Sequence, residues 1–184
     1  MIMQIEQSTV KKLRIVGAQV GAGWKLDPIT VYIENYKPGQ GKITIECFGD
    51  AWSSYWGPMG GDRNLEQFFT SCDCHYLASK LKLGIQSTIN DEDGLSDYMR
   101  AEVMRQRRAG EISKDDAREM YDEAEYMDYQ MIDHDLIQRV FGYEWWYQLP
   151  QKPNPEYEYL CRIIAAAQEG VKAALGSDML KVAA

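Results

Sequence analysis

The chain has 184 residues, 45% of them apolar, and a formal net charge of −8; this is enough apolar content for an ordinary buried core and excludes disorder throughout. An acidic balance of this size repels nucleic acid and membranes and attracts basic surfaces. No run of 18 apolar residues is present to span a bilayer, and residues 1 to 6 lack the basic segment and apolar run of a secretion signal, so we expect a cytosolic protein whose Cys47, Cys72, Cys74 and Cys161 stay reduced.

Alternation marks the first third as strands, because a period of two sends one set of side chains to the core and the other to water. Residues 11 to 20 read as a first strand, with Leu13, Ile15 and Ala18 among its apolar positions. After Gly21-Ala22-Gly23, a second strand alternates Ile29, Val31 and Ile33 with Thr30, Tyr32 and Glu34. The turn chemistry of Lys37-Pro38-Gly39-Gln40-Gly41 predicts a hairpin to a third, which carries Ile43, Ile45 and Cys47. Residues 51 to 56 read as a fourth strand or a short aromatic segment closing the sheet. Helices follow: residues 64 to 71 and 73 to 82 space Leu65, Phe68 and Phe69, then Tyr76, Leu77 and Leu81, to bury one face on the sheet.

The polar stretch 87 to 94 predicts a hinge between an α+β domain, residues 1 to 86, and an acidic helical subdomain, residues 95 to 184. Beyond it, Leu95, Met99 and Val103 line a helix that Gly110 stops. Ser113 with Asp116 opens the next, along which Ala117, Met120, Ala124, Met127 and Met131 repeat at the seam spacing of lengthwise packing. The short loop makes these two an αα-hairpin, and Met120, Met127 and Met131 also offer a contact for a homo-oligomer. Residues 132 to 141 continue as helix or a broken extension until residues 142 to 147 interrupt it. Asn154-Pro155 begins the last helix, expected to run to about Leu175 and to be closed by Gly176, with Leu160, Ile164 and Val171 on its packed side. The predicted fold class is therefore α+β: an N-terminal antiparallel sheet of three to four strands packed by helices, then the helical subdomain.

Ten carboxylates face two bases between residues 111 and 135, and this is the clearest functional signal in the chain. Asp115, Glu119, Asp122 and Tyr126 fall at i, i+4, i+7 and i+11, on one helix face. Like charges so placed cost a helix stability, which an opposing basic surface relieves. A solvated outer face beside the methionine seam is the plainer account of the same residues. Trp145, Trp146 and Tyr147 are adjacent and diverge, so at least one ring is available as a protein-contact anchor. The expected partner surface comprises Asp115, Glu119, Asp122, Glu123, Tyr126, Trp145 and Trp146.

Other chemistry is less well supported. Cys72, Cys74 and His75 are the only metal-ligand types close together in the sequence, but zinc commonly takes four ligands in two pairs, so they are weak candidates beside a reading as buried thiols. No cofactor is expected. A nucleophile needs an adjacent base, and neither His75 nor His134 sits in a nucleophile signature; an enzyme using Cys72 or Cys74 with His75 remains an alternative. Residues 57 to 64 precede a helix but lack the Gly-Lys-Ser/Thr ending of a phosphate-binding loop. Trp52, Tyr55 and Trp56 have the ring types that stack single-stranded bases, although Lys11, Lys12, Arg14 and Lys25 are few for a basic groove. Single-stranded nucleic-acid binding through an aromatic sheet face is thus a second alternative.

Several stretches resemble a group of small proteins encoded in bacteriophages and prophages. They are residues 27 to 31 (Asp-Pro-Ile-Thr-Val), residues 38 to 52 from Pro38-Gly39-Gln40-Gly41 to Gly49-Asp50-Ala51-Trp52, then Tyr55-Trp56-Gly57, Met59-Gly60, and residues 68 to 78 around Cys72-Asp73-Cys74-His75. The resemblance extends over residues 10 to 82. It implies an accessory phage protein acting in the bacterial host cell. Such proteins often block a host machine, so the expected function is non-enzymatic inhibition or modulation of a host protein or nucleoprotein complex, with defence complexes such as a CRISPR effector among the targets. Residues 109 to 116 are similar to the turn of short helical-hairpin modules, which implies structure alone.

Overall fold

The computed structural model describes residues 5, 9 to 20 and 24 to 182; the glycine break at 21 to 23 lies outside them. The fold is α+β, and the chain divides into two compact units: Met1–Gln86 together with Pro155–Ala184, and Ser87–Asn154.

The first unit begins with β1 (Lys11–Ile15), β2 (Gln19–Val20), β3 (Trp24–Lys25), β4 (Ile29–Lys37), β5 (Gln40–Cys47) and β6 (Asp50–Trp56), followed by α1 (Leu65–Ser71) and α2 (Cys74–Leu81). Four strands form an antiparallel sheet in the order β1-β4-β5-β6. Residues directly opposite in such a sheet share a face. The pairs Ile29 with Cys47, Val31 with Ile45 and Ile33 with Ile43 therefore build one apolar face, all of it buried. Each such fully buried aliphatic side chain contributes about 1.5 to 3 kcal/mol. The expected first strand stops early because its last pair is Ile15 with Ile29, and the residue before Ile29 is Pro28, which has no amide hydrogen to extend the ladder. Residues 19 and 20 pair with β3 instead.

Asn35 fixes α1 to the sheet. Its Nδ2 donates to Glu66 Oε2 at 2.8 Å and its Oδ1 accepts from the Leu65 amide at 2.8 Å. Asn64 completes the start of this helix with a reciprocal capping box to Gln67, so the amides there already have acceptors.

The last helix corrects the expected division of the chain. Residues 155 to 184 were expected to belong with the helical subdomain, but α6 (Pro155–Val182) packs on the sheet and on α1 and α2, burying Leu160, Ile163, Ile164, Ala167 and Val171 in the sheet's core. Gln168 Nε2 donates to the carbonyls of Phe69 and Cys72, both at 2.8 Å, and so satisfies the end of α1. At Gly170 a Cβ would stand 2.3 Å from Ile15 Cδ1; a glycine here lets the helix lie directly on β1. The helix does not close at Gly176 but continues to Val182.

The second unit contains β7 (Thr88–Asn90), α3 (Leu95–Ala109), α4 (Lys114–Ala124), a 3-10 turn at Tyr129–Met131, α5 (His134–Phe141), a second 3-10 turn at Trp145–Tyr147, and β8 (Gln151–Pro153). The segment expected as a hinge carries β7, paired antiparallel with β8. The Asn154 amide donates to the Ser87 carbonyl at 2.9 Å, so both chain ends of this unit meet. Gly110 ends α3 in the left-handed conformation, φ 75, which glycine adopts without strain. Helices α3, α4 and α5 pack around Leu95, Met99, Val103, Met120, Ile137 and Val140. Buried Gln106 donates through Nε2 to the Val140 carbonyl at 2.6 Å, and Ser96 Oγ donates to the Ala124 carbonyl at 2.7 Å.

The methionine seam is shorter than its spacing predicts. Helix α4 stops at Ala124, with acidic residues and no base in its last turn, against the helix dipole. Asp128 then caps the 3-10 turn. Met131 is 79% exposed, while Met120, at 3%, is already buried by its own unit. An oligomer seam through Met120, Met127 and Met131 is therefore not formed as a continuous outer surface. Among the described residues no helix is long and apolar enough to cross a membrane.

Candidate functional site

Charge is segregated between the two units. Ser87–Asn154 holds sixteen Asp/Glu against eight Lys/Arg, a balance of −8, and leaves twelve of each for the rest of the chain. The whole net charge therefore belongs to the helical unit.

Six of the ten carboxylates between residues 111 and 135 have internal partners, which narrows the surface available to a partner. Glu111 pairs with Arg105 at 3.1 Å. Ser113 Oγ accepts from the Asp116 amide at 3.1 Å and donates to Asp116 Oδ2 at 2.6 Å, so the helix is N-capped as its sequence predicts, while Asp116 bonds the Ser113 hydroxyl and not the backbone amide that a full capping box uses. Asp128 and Asp133 cap the following turns. Glu119 and Glu123 both pair with Arg139 of α5, at 3.1 and 3.4 Å. Sequence reasoning missed Arg139 because its partners lie 20 and 16 residues away; the available signal was that it is the single arginine or lysine of an otherwise uncharged or acidic α5.

The other four carboxylates, Asp115, Asp122, Glu125 and Asp135, have neither an ion pair nor a side-chain hydrogen bond among the described residues. Asp115 and Asp135 lie in the first turns of α4 and α5, where the helix dipole favours them. Asp122 and Glu125 stand at the opposite end of α4, where the dipole is unfavourable by about 0.3 to 1 kcal/mol each. Tyr126 follows immediately and is 84% exposed. Lys114 and Arg118, the two bases within the block, form no ion pair with it.

The aromatic residues sort by depth. Trp145 packs against the core of the helical unit and meets His134 edge-on at 5.8 Å. Trp146, 46% exposed, and Tyr147 continue outward at 5.9 and 5.8 Å between successive rings. Among the described residues no ring contact joins Tyr126 to this ladder.

The remaining candidates are absorbed by the sheet unit. Trp52 lies opposite Ile45 and Trp56 opposite Gly41, so both face the core; Trp56 Nε1 donates to the Tyr76 hydroxyl at 3.0 Å. Tyr55, opposite Lys42, is on the other face and contacts Tyr36. Strand alternation thus separates the three rings that a base-stacking platform would need together. Burial, followed by a hydrogen bond with Cys161, pushes the Cys74 thiol up to about 12; burial also raises Cys72. His75 Nδ1 sits 3.1 Å from the Tyr157 hydroxyl. Both shifts run away from the thiolate that an activated nucleophile requires. Among the described residues no three His, Cys, Asp or Glu side chains are grouped to hold a metal.

A family model described as a phage family matches residues 3–173, spanning both units. No curated protein matches the chain, and no solved structure does.

Proposed function

The chain belongs to this phage family, and from that premise we propose that it is a non-enzymatic accessory protein that binds a basic surface of a host protein or nucleoprotein complex and inhibits or modulates it. The observation that carries this reading is the end of α4, where Asp122, Glu125 and exposed Tyr126 combine uncompensated negative charge with an aromatic ring. A basic partner relieves the carboxylates of the unfavourable dipole, and the tyrosine supplies apolar contact area at small entropic cost. Asp115 extends the same negative helix, and Trp146 is the outermost tryptophan of the aromatic ladder, held in place by Trp145. Glu119 and Glu123 join the surface by exchanging Arg139 for a partner's cation. Basic surfaces of this kind are those by which host complexes grip nucleic acid, which makes defence complexes such as CRISPR effectors a target class. Direct binding of single strands is disfavoured by the separation of Trp52 and Trp56 from Tyr55.

The test is parallel affinity capture from phage-infected host cells with the native chain, an Asp122→Lys/Glu125→Lys/Tyr126→Ala variant, and a Trp52→Phe control. The expected result is a host protein retained by the native chain and the control and lost by the triple variant. Equal capture by all three excludes the α4 end as the docking site.

A further inference from the structure

The same helical unit carries a second polar surface, of opposite sign. Helix α3 places Asp97, Arg100, Ala101, Met104 and Arg108 along one side of a groove of about 430 Å³, and Tyr121 of α4 closes the other. Arg100 lies with its guanidinium carbon 4.2 Å from the Tyr121 ring centroid. Stacking fixes where the cation sits. It supplies no acceptor to the Nε–H, however, and Arg100 Nε is buried without a hydrogen-bond partner. A buried donor left unpaired is unfavourable and is seldom tolerated.

Arg108 adds a second charge to the groove. The other arginines of this turn already have acceptors: Arg105 donates to Glu102 and Glu111, and Arg107 to the Ile112 carbonyl. Arg108 has no partner among the described residues. Eight residues separate it from Arg100, about 12 Å along the helix axis, a span that two long side chains can close from either end of one groove. Asp97 is the only carboxylate in the lining, and it leaves Arg100 without an ion pair.

We propose that this α3–α4 groove is an oxyanion site, in which Arg100, its Nε side buried and its guanidinium stacked on Tyr121, donates through its terminal nitrogens to a phosphate or carboxylate group while Arg108 contributes the second positive charge. A guanidinium presents parallel N–H donors that match two oxygens of one such group. The site lies on residues other than those of the α4 end and stands whether or not that end docks a host protein.

The full chain, labelled on arginine nitrogen, is titrated at constant ionic strength with sodium phosphate and, separately, sodium succinate, using sodium chloride as the control. The Arg100 Nε–H resonance is expected to shift saturably with at least one of them at millimolar concentrations and not with chloride. Saturation by phosphate alone assigns a phosphoryl ligand, by succinate alone a carboxylate, and by both a site that selects the shared oxyanion geometry. Arg100→Gln, which removes that resonance and is read instead from the Arg108 Nε–H, should weaken binding roughly tenfold. Arg108→Gln should weaken it about threefold, and Asp97→Asn should strengthen it about threefold. These last two positions are exposed, so their variants retain the fold. No saturable shift with either anion, or an affinity unchanged in both the Arg108 and Asp97 variants, overturns the proposal.

Discussion

The sheet unit has balanced charge and encloses Glu66, a deeply buried carboxylate, between Asn35 and Lys11. The helical unit carries all the excess negative charge and leaves part of it without a partner at the end of α4. In the first, charges serve the fold; in the second, helix caps and ion pairs account for most of the carboxylates, and what remains is the part that needs an explanation beyond folding. The difference shows why counting acidic residues overstates a docking surface. Glu119 and Glu123 look equivalent to Asp122 in sequence, yet Arg139 holds the first two.

That contrast is tested first through the sheet core. Ile164→Ala should destabilise the sheet unit by about 2 to 5 kcal/mol through lost burial and a residual cavity, read by urea unfolding. If α6 belonged with the helical unit, the α2 and β4 amides would keep their exchange protection in this variant.

Gln106→Leu tests the helical core. The Val140 carbonyl loses its buried donor, and the expected loss is about 1 to 3 kcal/mol. Near-native stability would mean that packing alone holds α3 to α5.

Extremes of pH should separate the two units. In the helical unit the Arg105 hydrogen bond holds the Glu102 carboxyl below its ordinary 4.5, so the associated stability is present above that pH and is lost as pH falls through the lowered value. In the sheet unit Cys74 is raised from 9.0 to about 12, so its contribution is fully present below 9.0 and disappears as pH rises toward about 12. Residue-resolved amide spectra should show acid loosening α3 first and alkali loosening the contact of α2 with α6. The reverse order would contradict these assignments.

Arg139→Gln has the smallest effect on folding, below about 1 kcal/mol for exposed pairs. It frees Glu119 and Glu123, so affinity for the captured host partner should rise. A fall would assign Arg139 itself to the interface.

Local rules made much of this molecule legible in advance. The alternation of Ile29, Val31 and Ile33 against Ile43, Ile45 and Cys47 predicts the hairpin and its buried face. Ser113 with Asp116, and Gly110, mark the bounds of the helical hairpin, because caps are set by neighbouring residues. Where the reading failed, the determinant was distant in sequence. The packing of α6 on the sheet brings Gly170 against Ile15 from the other end of the chain, and β7 finds β8 more than sixty residues later. Helix spacing carried the methionine seam past Ala124, because periodicity does not register the unfavourable charge at the helix end. At the candidate site, the acidic run that leads into Tyr126 could be read from the sequence, while the end of α4 at Ala124, which takes Tyr126 off the helix face its spacing predicts, the neutralisation by Arg139 and the stack of Arg100 on Tyr121 could not.

The central claim is that the α4 end is where a partner docks, and hydrogen exchange on the captured complex tests it most directly. The account predicts slowed exchange across residues 118 to 131, with a smaller effect at 143 to 147. Unchanged exchange there, with protection confined to β5 and β6, would contradict it.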